Sequence, residues 1–299
     1  MMGQQGRHLS AAPLVTLSAP GRNADVQVIG VPFDGTSTYR TGSRFGPDAV
    51  RAAFWNIEVY SRPLDVDLED LSIEDRGNIR HTARVDTMLT MAEETVRESV
   101  DAGYVPAILG GEHSITLGTF SAMPEGTALL VFDAHLDLRD EYDDLREMHA
   151  TYLRRLIERR PGLRVVHVGA RAATKEEWRF AAEAGVAIIT ADQIDADGED
   201  NLTRRLEDAL DGVEGLYVTI DLDGLDPAYA PGVSNPEAGG LSSLQLLRCL
   251  YTLRDTPIRG FDIVELCPQY DPSGITAVAA ARFMAELCGL AHLQHARGA

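Results

Sequence analysis

Cysteine is scarce in this sequence, and its scarcity excludes two classes of protein. There are 3 cysteines among 299 residues, Cys249, Cys267 and Cys288, and none belongs to a CxxC pair. An odd number of widely spaced cysteines argues against a disulfide scaffold and against a zinc site with thiolate ligands. We therefore expect all three to be ordinary core residues.

Positive charge is scarce as well. The chain has 46 acidic residues against 27 basic ones, a formal net charge of -19, and Lys175 is its single lysine. Such a balance repels nucleic acid and anionic membranes, so neither is an expected partner. It can attract a cationic substrate, but we interpret most of these charges as surface solvation, for instance in a high-salt cytoplasm.

Long apolar runs are also missing. No run approaches the roughly 20 residues that span a bilayer. Residues 1–25, MMGQQGRHLSAAPLVTLSAPGRNAD, lack the charged start and sustained apolar stretch of a secretory leader. We therefore expect a cytoplasmic protein that has no membrane partner.

What the sequence does contain is a series of apolar, strand-like runs separated by helix-sized segments. The runs are DVQVIGVPF (25–33), YVPAILGG (104–111), TALLVFDAH (127–135), LRVVHVGAR (163–171), GVAIITADQI (185–194), GLYVTIDLDGLD (215–226) and IRGFDIVELCP (258–268). Near-continuous apolar strands are typical of a parallel sheet covered on both faces by helices. We predict an α/β protein, a three-layer α/β/α sandwich, with one domain over residues 25–299 and an N-terminal arm over residues 1–24.

Acidic residues and histidines cluster where four of these strands end, in GGEHS, DAHLD, DLDGLD and VELCPQYD. Open parallel sheets bind their ligands at the carboxyl ends of the strands. If strand geometry persists to these ends, alternate residues share one face of the strand. The candidate ligands that would then meet at one edge of the sheet are His113, Asp133, His135, Asp137, Asp221 and Asp223.

Four carboxylates and two imidazoles in one place require cations to offset their mutual repulsion. Six ligands are too many for one tetrahedral zinc with an open position, and they suit two divalent ions that share bridging carboxylates. Carboxylate-rich coordination without thiolates favours manganese over zinc and leaves iron, cobalt and nickel open. A lone DxHxD is also compatible with a solvated turn, but its recurrence beside similar motifs favours the metal site.

Two metal ions with a water between them indicate hydrolysis. Hydrolysis needs a proton shuttle for the leaving group and an acid or amide that orients the substrate. His149, at the end of an acidic loop, and Glu265, at the end of a strand, are the candidates for these two roles. On spacing alone, however, a loop histidine is more often incidental, and a glutamate at a strand end is more often a salt-bridge partner.

The motifs GGEHS, DAHLDLRDEYDD followed by HAT, TIDLDGLDPAYAPGVSNPEAGG and VELCPQYD together resemble the ureohydrolase family of arginase and agmatinase, and most of all its archaeal agmatinases. The segment GVPFDGTSTYRTGSRFGPDAVR is similar too, and the resemblance spans about residues 25–290. It implies an eight-stranded, mostly parallel sheet, two Mn²⁺ ions and a trimeric or hexameric homo-oligomer. It also implies release of urea from a small cationic guanidinium compound, with agmatine, hydrolysed to putrescine for polyamine biosynthesis, as the first candidate.

The resemblance also implies a role for each candidate residue. The implied ligand sets are His113, Asp133, Asp137 and Asp221 for one ion, and Asp133, His135, Asp221 and Asp223 for the other. Asp133 and Asp221 would bridge the two ions. Asp137 would also steady the attacking hydroxide, His149 would shuttle the proton, and Glu265 would hold the guanidinium group.

The chain departs from the family pattern at three positions. Glu112 stands where the family often has Asp, Ala150 follows the candidate shuttle where Gly is common, and Gly224 follows the DLD motif where Cys, Val or Ile is usual. None of these departures removes a ligand. We expect them to affect rate and substrate fit more than metal binding.

The substrate stays open at this stage. If the acidic residues of 138–149, LRDEYDDLREMH, rim the pocket, they favour a substrate with a distal ammonium. Arg139 and Arg146 could instead bind a carboxylate, although pairing with neighbouring acids is the simpler interpretation. The alternatives to agmatine are therefore N1-aminopropylagmatine, guanidinobutyrate, arginine and formiminoglutamate.

Two further functions compete with a ureohydrolase. A metal-dependent deacetylase has a related fold, but such enzymes use one zinc and an adjacent pair of histidines, which this sequence lacks. A catalytically silent metal-binding subunit would release no urea from any guanidinium compound.

Overall fold

The computed structural model of the protein describes residues 9–10, 16–17, 25–197 and 199–298. The strands of these residues are β1 Leu9–Ser10, β2 Thr16–Leu17, β3 Val26–Val31, β4 Tyr60–Ser61, β5 Val66–Asp67, β6 Ile73–Ile79, β7 Val105–Gly110, β8 Ala128–Phe132, β9 Val165–Val168, β10 Ala187–Ile189, β11 Leu216–Asp221 and β12 Ile258–Val264. The α-helices are α1 Gly46–Phe54, α2 Val85–Asp101, α3 Ile115–Ser121, α4 Tyr152–Arg159, α5 Lys175–Ala184, α6 Ala191–Asp197, α7 Glu199–Leu210, α8 Ser243–Thr252 and α9 Ile275–Gly298.

Eight strands form a continuous parallel sheet in the order β6-β3-β7-β12-β11-β8-β9-β10. The short strands β1 and β2 add antiparallel pairs to β6. Strands β3, β7, β8 and β11 are buried along their whole length, as expected for a parallel sheet that is covered on both faces. Apart from β1 and β2, the predicted arm over residues 1–24 lies outside the described residues.

Helices cover both faces of the sheet and complete the three layers. On one face, α7 and α9 contribute Leu206 and Phe283 to a hydrophobic cluster that includes side chains of every long strand. On the other face, α2 and α3 contribute Met88 and Phe120 to a second cluster. These two clusters confirm the predicted α/β/α sandwich with an eight-stranded parallel sheet.

Strand β6 is not among the runs predicted from the sequence. Its residues, IEDRGNI, alternate between buried and more exposed positions and include three charged side chains. Asp75 of β6 accepts a hydrogen bond at 2.7 Å from Arg51 of α1, and both side chains are buried. The ion pair joins residues that are 24 positions apart, so the apolar pattern gives no indication of it.

Helix α9 contains the segment Ile275–Gln294, which is long and apolar enough to cross a membrane by length and composition. The expectation that no apolar segment approaches the length of a membrane span was therefore wrong. However, 72% of its most apolar window is buried inside the fold. This is the environment of a core helix, because its apolar side chains pack against the sheet.

The sheet order explains where polar side chains can meet. Strands β7, β12, β11 and β8 are consecutive neighbours, and all four run in the same direction. Their carboxyl ends therefore lie side by side on one edge. The four polar motifs of the sequence follow these four strands.

Candidate metal centre

The loops after β7, β8 and the end of β11 bring His113, Asp133 and Asp221 together. His113 Nδ1 lies 2.9 Å from Asp133 Oδ2 and 3.2 Å from Asp221 Oδ2. One ligand atom from each residue lies within 4.8 Å of the other two, and all three residues are buried. Asp137 Oδ2 is 3.5 Å from the same nitrogen. These four residues form the first ligand group.

The second ligand group consists of Asp133, His135 and Asp223. His135 Nδ1 lies 3.1 Å from Asp223 Oδ2 and 3.6 Å from Asp133 Oδ1. Asp133 therefore belongs to both groups, with a different oxygen facing each. The distances place Asp221 in the first group only, so its bridging role stays a prediction.

A turn of the backbone, rather than a continued strand, positions the candidate ligands of residues 133–137. Strand β8 ends at Phe132, before the first ligand. Asp133 Oδ1 accepts a hydrogen bond from the His135 backbone N–H at 2.6 Å, and Asp137 adopts a left-handed φ of 50°. The assumption of a persisting strand was wrong for residues 133–137. A turn brings them together instead, because Asp side chains bind nearby backbone N–H groups and tolerate positive φ.

Without cations, the close approach of these buried carboxylates would be electrostatically unfavourable. Burial, followed by the charges of Asp223 and Asp133, raises the pKa of Asp221 well above its usual range. Burial and the charge of Asp133 do the same to the pKa of Asp137. Burial disfavours the protonated form of His113, but nearby Asp133 outweighs this effect and raises the pKa of His113 to about 9. Buried carboxylates at this separation are stable as anions when cations lie between them.

Two unpaired atoms show that the site fits a cation. Among the described residues, His113 Nδ1 and Asp133 Oδ2 have no hydrogen-bond partner, although both are buried and only 2.9 Å separates them. Unpartnered buried polar atoms are costly in a folded protein. A divalent ion would satisfy both, because imidazole nitrogens and carboxylate oxygens are common ligands of such ions.

A hydrogen-bond relay behind His113 sets the orientation of its ring. His113 Nε2 lies 2.8 Å from Thr219 Oγ1, and that hydroxyl donates to Asp262 Oδ1. Asp262 also receives the Tyr217 hydroxyl at 2.8 Å. Because the Thr219 hydroxyl donates its hydrogen to Asp262, its oxygen accepts from His113 Nε2–H. The Nδ1 lone pair then faces the carboxylates, as a metal ligand requires.

Glu265 follows β12 and lies at the same edge. It adopts a left-handed φ of 69°, which is unusual for a residue other than glycine and turns its side chain inward. Its Oε1 accepts a hydrogen bond from the His113 backbone N–H at 2.8 Å. Its Oε2 is buried and has no hydrogen-bond partner among the described residues, and burial raises the pKa of Glu265 to about 8.

His149 begins a short 3₁₀ turn at the entrance to α4 and is buried. Its Nδ1 lies 3.4 Å from Thr36 Oγ1, and its Nε2 lies 3.3 Å from Thr38 Oγ1. Burial, and then the charges of His135 and His113, lower the pKa of His149 to about 4. This environment therefore favours the neutral form of His149.

A pocket of about 350 Å³ opens onto both ligand groups. Every predicted site residue except Asp133 lines it, and Asp133 Oδ2 lies 2.9 Å from Nδ1 of the lining residue His113. Arg139 lines the outer part of the pocket. Its guanidinium stacks on the Tyr142 ring at 4.6 Å, and its Nε is 3.7 Å from a carboxylate oxygen of Glu177.

The acidic residues of 138–149 do not line this pocket. Asp140 accepts a hydrogen bond from Arg146 at 2.9 Å, and Glu147 pairs with Arg159. The condition for an acidic rim is therefore not met, and Asp140 and Glu147 pair with arginines instead. Arg146 thus pairs with a neighbouring acid, as the simpler interpretation predicted, whereas the acid near Arg139 is the distant Glu177.

Several polar residues around the site had no signal in the sequence. Thr36 and Thr38 contact His149 from more than 110 positions away. Asp262 lies inside an apolar strand, where a carboxylate goes against strand propensity. That conflict is the one local indication that Asp262 has a buried polar partner. Glu237 also lines the pocket, with Oε1 4.0 Å from His135 Nε2.

Comparison with known proteins gives a consistent result. The model of the arginase family matches residues 24–289. The agmatinase of Bacillus anthracis is 37% identical over 272 residues, which cover 88% of this chain and 91% of that protein. The N(1)-aminopropylagmatine ureohydrolase of Thermococcus kodakarensis is 36% identical, with 84% and 86% covered. The crystal structure of agmatine ureohydrolase of Thermoplasma volcanium has a TM-score of 0.85 at 32% identity, with 92% of each chain covered.

Proposed function

The chain belongs to the arginase family, and from this premise we propose that it is a binuclear-metal hydrolase that converts agmatine to putrescine and urea. The observation that carries the proposal is the pair of ligand groups that share Asp133 at the base of a pocket. Glu265 faces the same pocket with an unpartnered carboxylate oxygen. A cationic, planar guanidinium group is the complement of that arrangement.

The residues present fit two divalent ions. We propose that His113, Asp133, Asp137 and Asp221 hold one ion, and that Asp133, His135, Asp221 and Asp223 hold the other. Their oxygen-rich composition without thiolates favours Mn²⁺. When bound, a pair of such ions lowers the pKa of a water between them and supplies a nucleophilic hydroxide near neutral pH.

Glu265 would bind and orient the substrate. A guanidinium group donates several N–H bonds in one plane and pairs well with a carboxylate. Glu265 Oε2 is the available acceptor, because Oε1 already receives the His113 backbone N–H. This pairing would hold the guanidinium plane in the pocket, with its carbon atom open to attack from the side of the ligand groups.

Asp137 would orient the attacking water, and His149 would transfer a proton to the leaving group. Asp137 lines the pocket, so its carboxylate can accept a hydrogen bond from the attacking water and steady it. As the water oxygen bonds to the guanidinium carbon, the bond to the substituted nitrogen breaks. His149 takes up a proton that the attacking water releases and delivers it to this nitrogen, which leaves as an amine. The products are urea and a protonated alkylamine.

The outer pocket supports a substrate with a cationic tail. Arg139 is engaged by Tyr142 and Glu177, so its charge is partly neutralised. The Glu237 side chain is 47% exposed, and its ion-pair contact among the described residues is the distant one to His135, at 4.0 Å. Its carboxylate can therefore receive a terminal ammonium. This favours agmatine or a longer amine over guanidinobutyrate, arginine or formiminoglutamate.

Urea release is the direct test. We expect the purified protein with Mn²⁺ to release urea from agmatine with a higher kcat/KM than from N1-aminopropylagmatine, arginine or guanidinobutyrate, at low or at high salt. Glu237→Gln should raise KM for agmatine, whereas KM for guanidinobutyrate should stay the same or decrease. Asp133→Asn serves as the inactive control. If no guanidinium compound yields urea, the protein is a silent metal-binding subunit and the proposal is refuted.

We further propose that residues 25–299 form the catalytic domain of a cytoplasmic homo-oligomer, trimeric or hexameric. The acidic composition and the family membership support this proposal. Exposed aromatic side chains, such as Tyr39, Phe45 and Trp55 at 68%, 59% and 61% exposure, support an interface between copies. Sedimentation of the purified protein tests it, and a monomer would contradict it.

A further inference from the structure

Glu112 is a fully buried carboxylate that takes no part in the proposed ligand groups. It lies directly before His113, yet its side chain points to the segment Thr36–Thr38. Oε2 accepts the Thr36 backbone N–H at 2.7 Å and lies 3.4 Å from the Ser37 hydroxyl. Oε1 accepts a hydrogen bond from the hydroxyl of Thr36 and another, at 2.6 Å, from the hydroxyl of Ser114. Glu112 thus fixes the segment that contacts His149.

The hydroxyl of Thr36 connects Glu112 to His149. It has one hydrogen to donate and two lone pairs. The His149 backbone N–H can only donate, and it donates a hydrogen bond to one of these lone pairs at 3.3 Å. The hydroxyl hydrogen of Thr36 is donated in a hydrogen bond to Glu112 Oε1. The remaining lone pair is the one that faces His149 Nδ1, at 3.4 Å.

This geometry determines which nitrogen of His149 carries the proton. A lone pair of Thr36 Oγ1 facing Nδ1 favours the tautomer in which Nδ1 is protonated. The other nitrogen, Nε2, then keeps its lone pair. Nε2 lies 3.3 Å from Thr38 Oγ1, and both His149 and Thr38 line the pocket. Nε2 is therefore the nitrogen that exchanges protons with a substrate.

We propose that Glu112 and Thr36 are positioning residues that hold His149 in the Nδ1–H tautomer and so make Nε2 the proton-transferring atom. The inference rests on the proposed shuttle role of His149 and deepens it. Neither positioning residue touches the substrate. Their effect passes through the orientation of one hydroxyl group, in the way that a buried carboxylate orients a catalytic histidine in hydrolytic triads.

Two substitutions have opposite predicted effects on this hydroxyl. In Glu112→Gln, the amide oxygen faces the Thr36 backbone N–H, so the amide NH₂ occupies the place of Oε1 and donates to Thr36 Oγ1. The Thr36 hydroxyl then donates to His149 Nδ1, and the histidine changes to the Nε2–H tautomer. Thr36→Val removes the hydroxyl and the tautomer preference with it. Thr36→Ser keeps the hydroxyl.

The tautomer can be read directly by nuclear magnetic resonance. The full-length protein, labelled with ¹⁵N-histidine, is studied by long-range ¹H–¹⁵N correlation at about pH 8, where an unperturbed histidine is neutral. Spectra are recorded without metal and with Zn²⁺, which is diamagnetic. The His149 signals are assigned by their loss in His149→Phe. Ser37→Ala serves as a control, because Ser37 contacts Glu112 but not His149.

The expected result is an Nδ1–H signal in the unmodified protein, in Thr36→Ser and in Ser37→Ala, an Nε2–H signal in Glu112→Gln, and a mixture in Thr36→Val. An Nε2–H tautomer in the unmodified protein, or the same tautomer in Glu112→Gln, overturns the inference. If Glu112→Gln does not fold, Thr36→Val and Thr36→Ser still test the inference: the same tautomer signal in both variants overturns it.

Turnover provides a second measurement. With Mn²⁺ and agmatine, Thr36→Val should lower kcat about 10- to 100-fold with little change in KM, and Thr36→Ser should restore most of it. Equal kcat for Thr36→Val and the unmodified protein overturns the positioning role. If no variant releases urea, the proposed function fails, whereas the resonance experiment still decides whether the relay sets the tautomer.

Discussion

The sharing of Asp133 between two ligand groups leads to a quantitative prediction about stability. Asp133→Asn removes the negative charge that faces both groups, whereas Asp223→Asn removes a ligand from the second group only. The amide is nearly isosteric with the carboxylate, so the fold should persist. The two variants should therefore differ in how many ions still stabilise them.

The expected size follows from linkage. At a free Mn²⁺ concentration 100 times the Kd of each site, one bound ion stabilises the folded state by about 2.7 kcal/mol, so two independent ions contribute about 5 kcal/mol. With roughly 2–4 °C per kcal/mol for a large domain, Mn²⁺ should raise Tm by about 10–20 °C in the unmodified protein. The rise should be about half as large in Asp223→Asn and absent in Asp133→Asn.

Thermal unfolding of each variant with EDTA and with Mn²⁺ measures these shifts, and each variant provides its own metal-free baseline. Asp271→Asn is the matched control. Asp271 is a buried acid that accepts backbone N–H groups of Thr276 and Ala277 and lies outside both ligand groups. The Asp271→Asn variant should have a lower Tm than the unmodified protein, but Mn²⁺ should raise its Tm by the full amount. A full response in Asp133→Asn would refute the shared-ligand assignment.

Three further substitutions test individual residues. His149→Phe should keep two bound ions and lose about 10²- to 10⁴-fold in kcat; metal analysis and turnover check this, and an unchanged kcat contradicts the shuttle role. Glu265→Gln should raise KM and lower kcat together, because it acts on substrate binding; a variant with normal kinetics and only a reduced yield would show that Glu265 is structural. Thr219→Val should weaken metal binding about 10- to 100-fold, because His113 loses its orienting partner, and Mn²⁺ titration with an unchanged affinity would contradict the relay.

Much of the fold could be predicted because the central strands carry an unmistakable pattern. Strands β7, β8 and β11 are buried along their whole length, so their sequences are almost continuously apolar. Strand β6 could not be predicted in this way. It lies at the side of the sheet, it alternates, and its buried Asp75 is balanced by Arg51 on a distant helix.

The ligand groups could be predicted because each motif is local. A few residues at one strand end, such as Asp133 to Asp137, are close in space whatever the rest of the chain does. The surroundings could not be predicted, because they depend on tertiary contacts. Glu112 reaches Thr36 across 76 positions, and only the folded loop shows that Asp140 pairs with arginines rather than with the pocket.

The most direct test of the account is to locate the metal ions. Crystals of the protein grown with Mn²⁺ would be measured at an X-ray wavelength at which manganese scatters anomalously. Two anomalous peaks are expected, one on each side of Asp133, the first beside His113 and Asp221 and the second beside His135 and Asp223. A single peak, or peaks away from Asp133, would contradict this expectation.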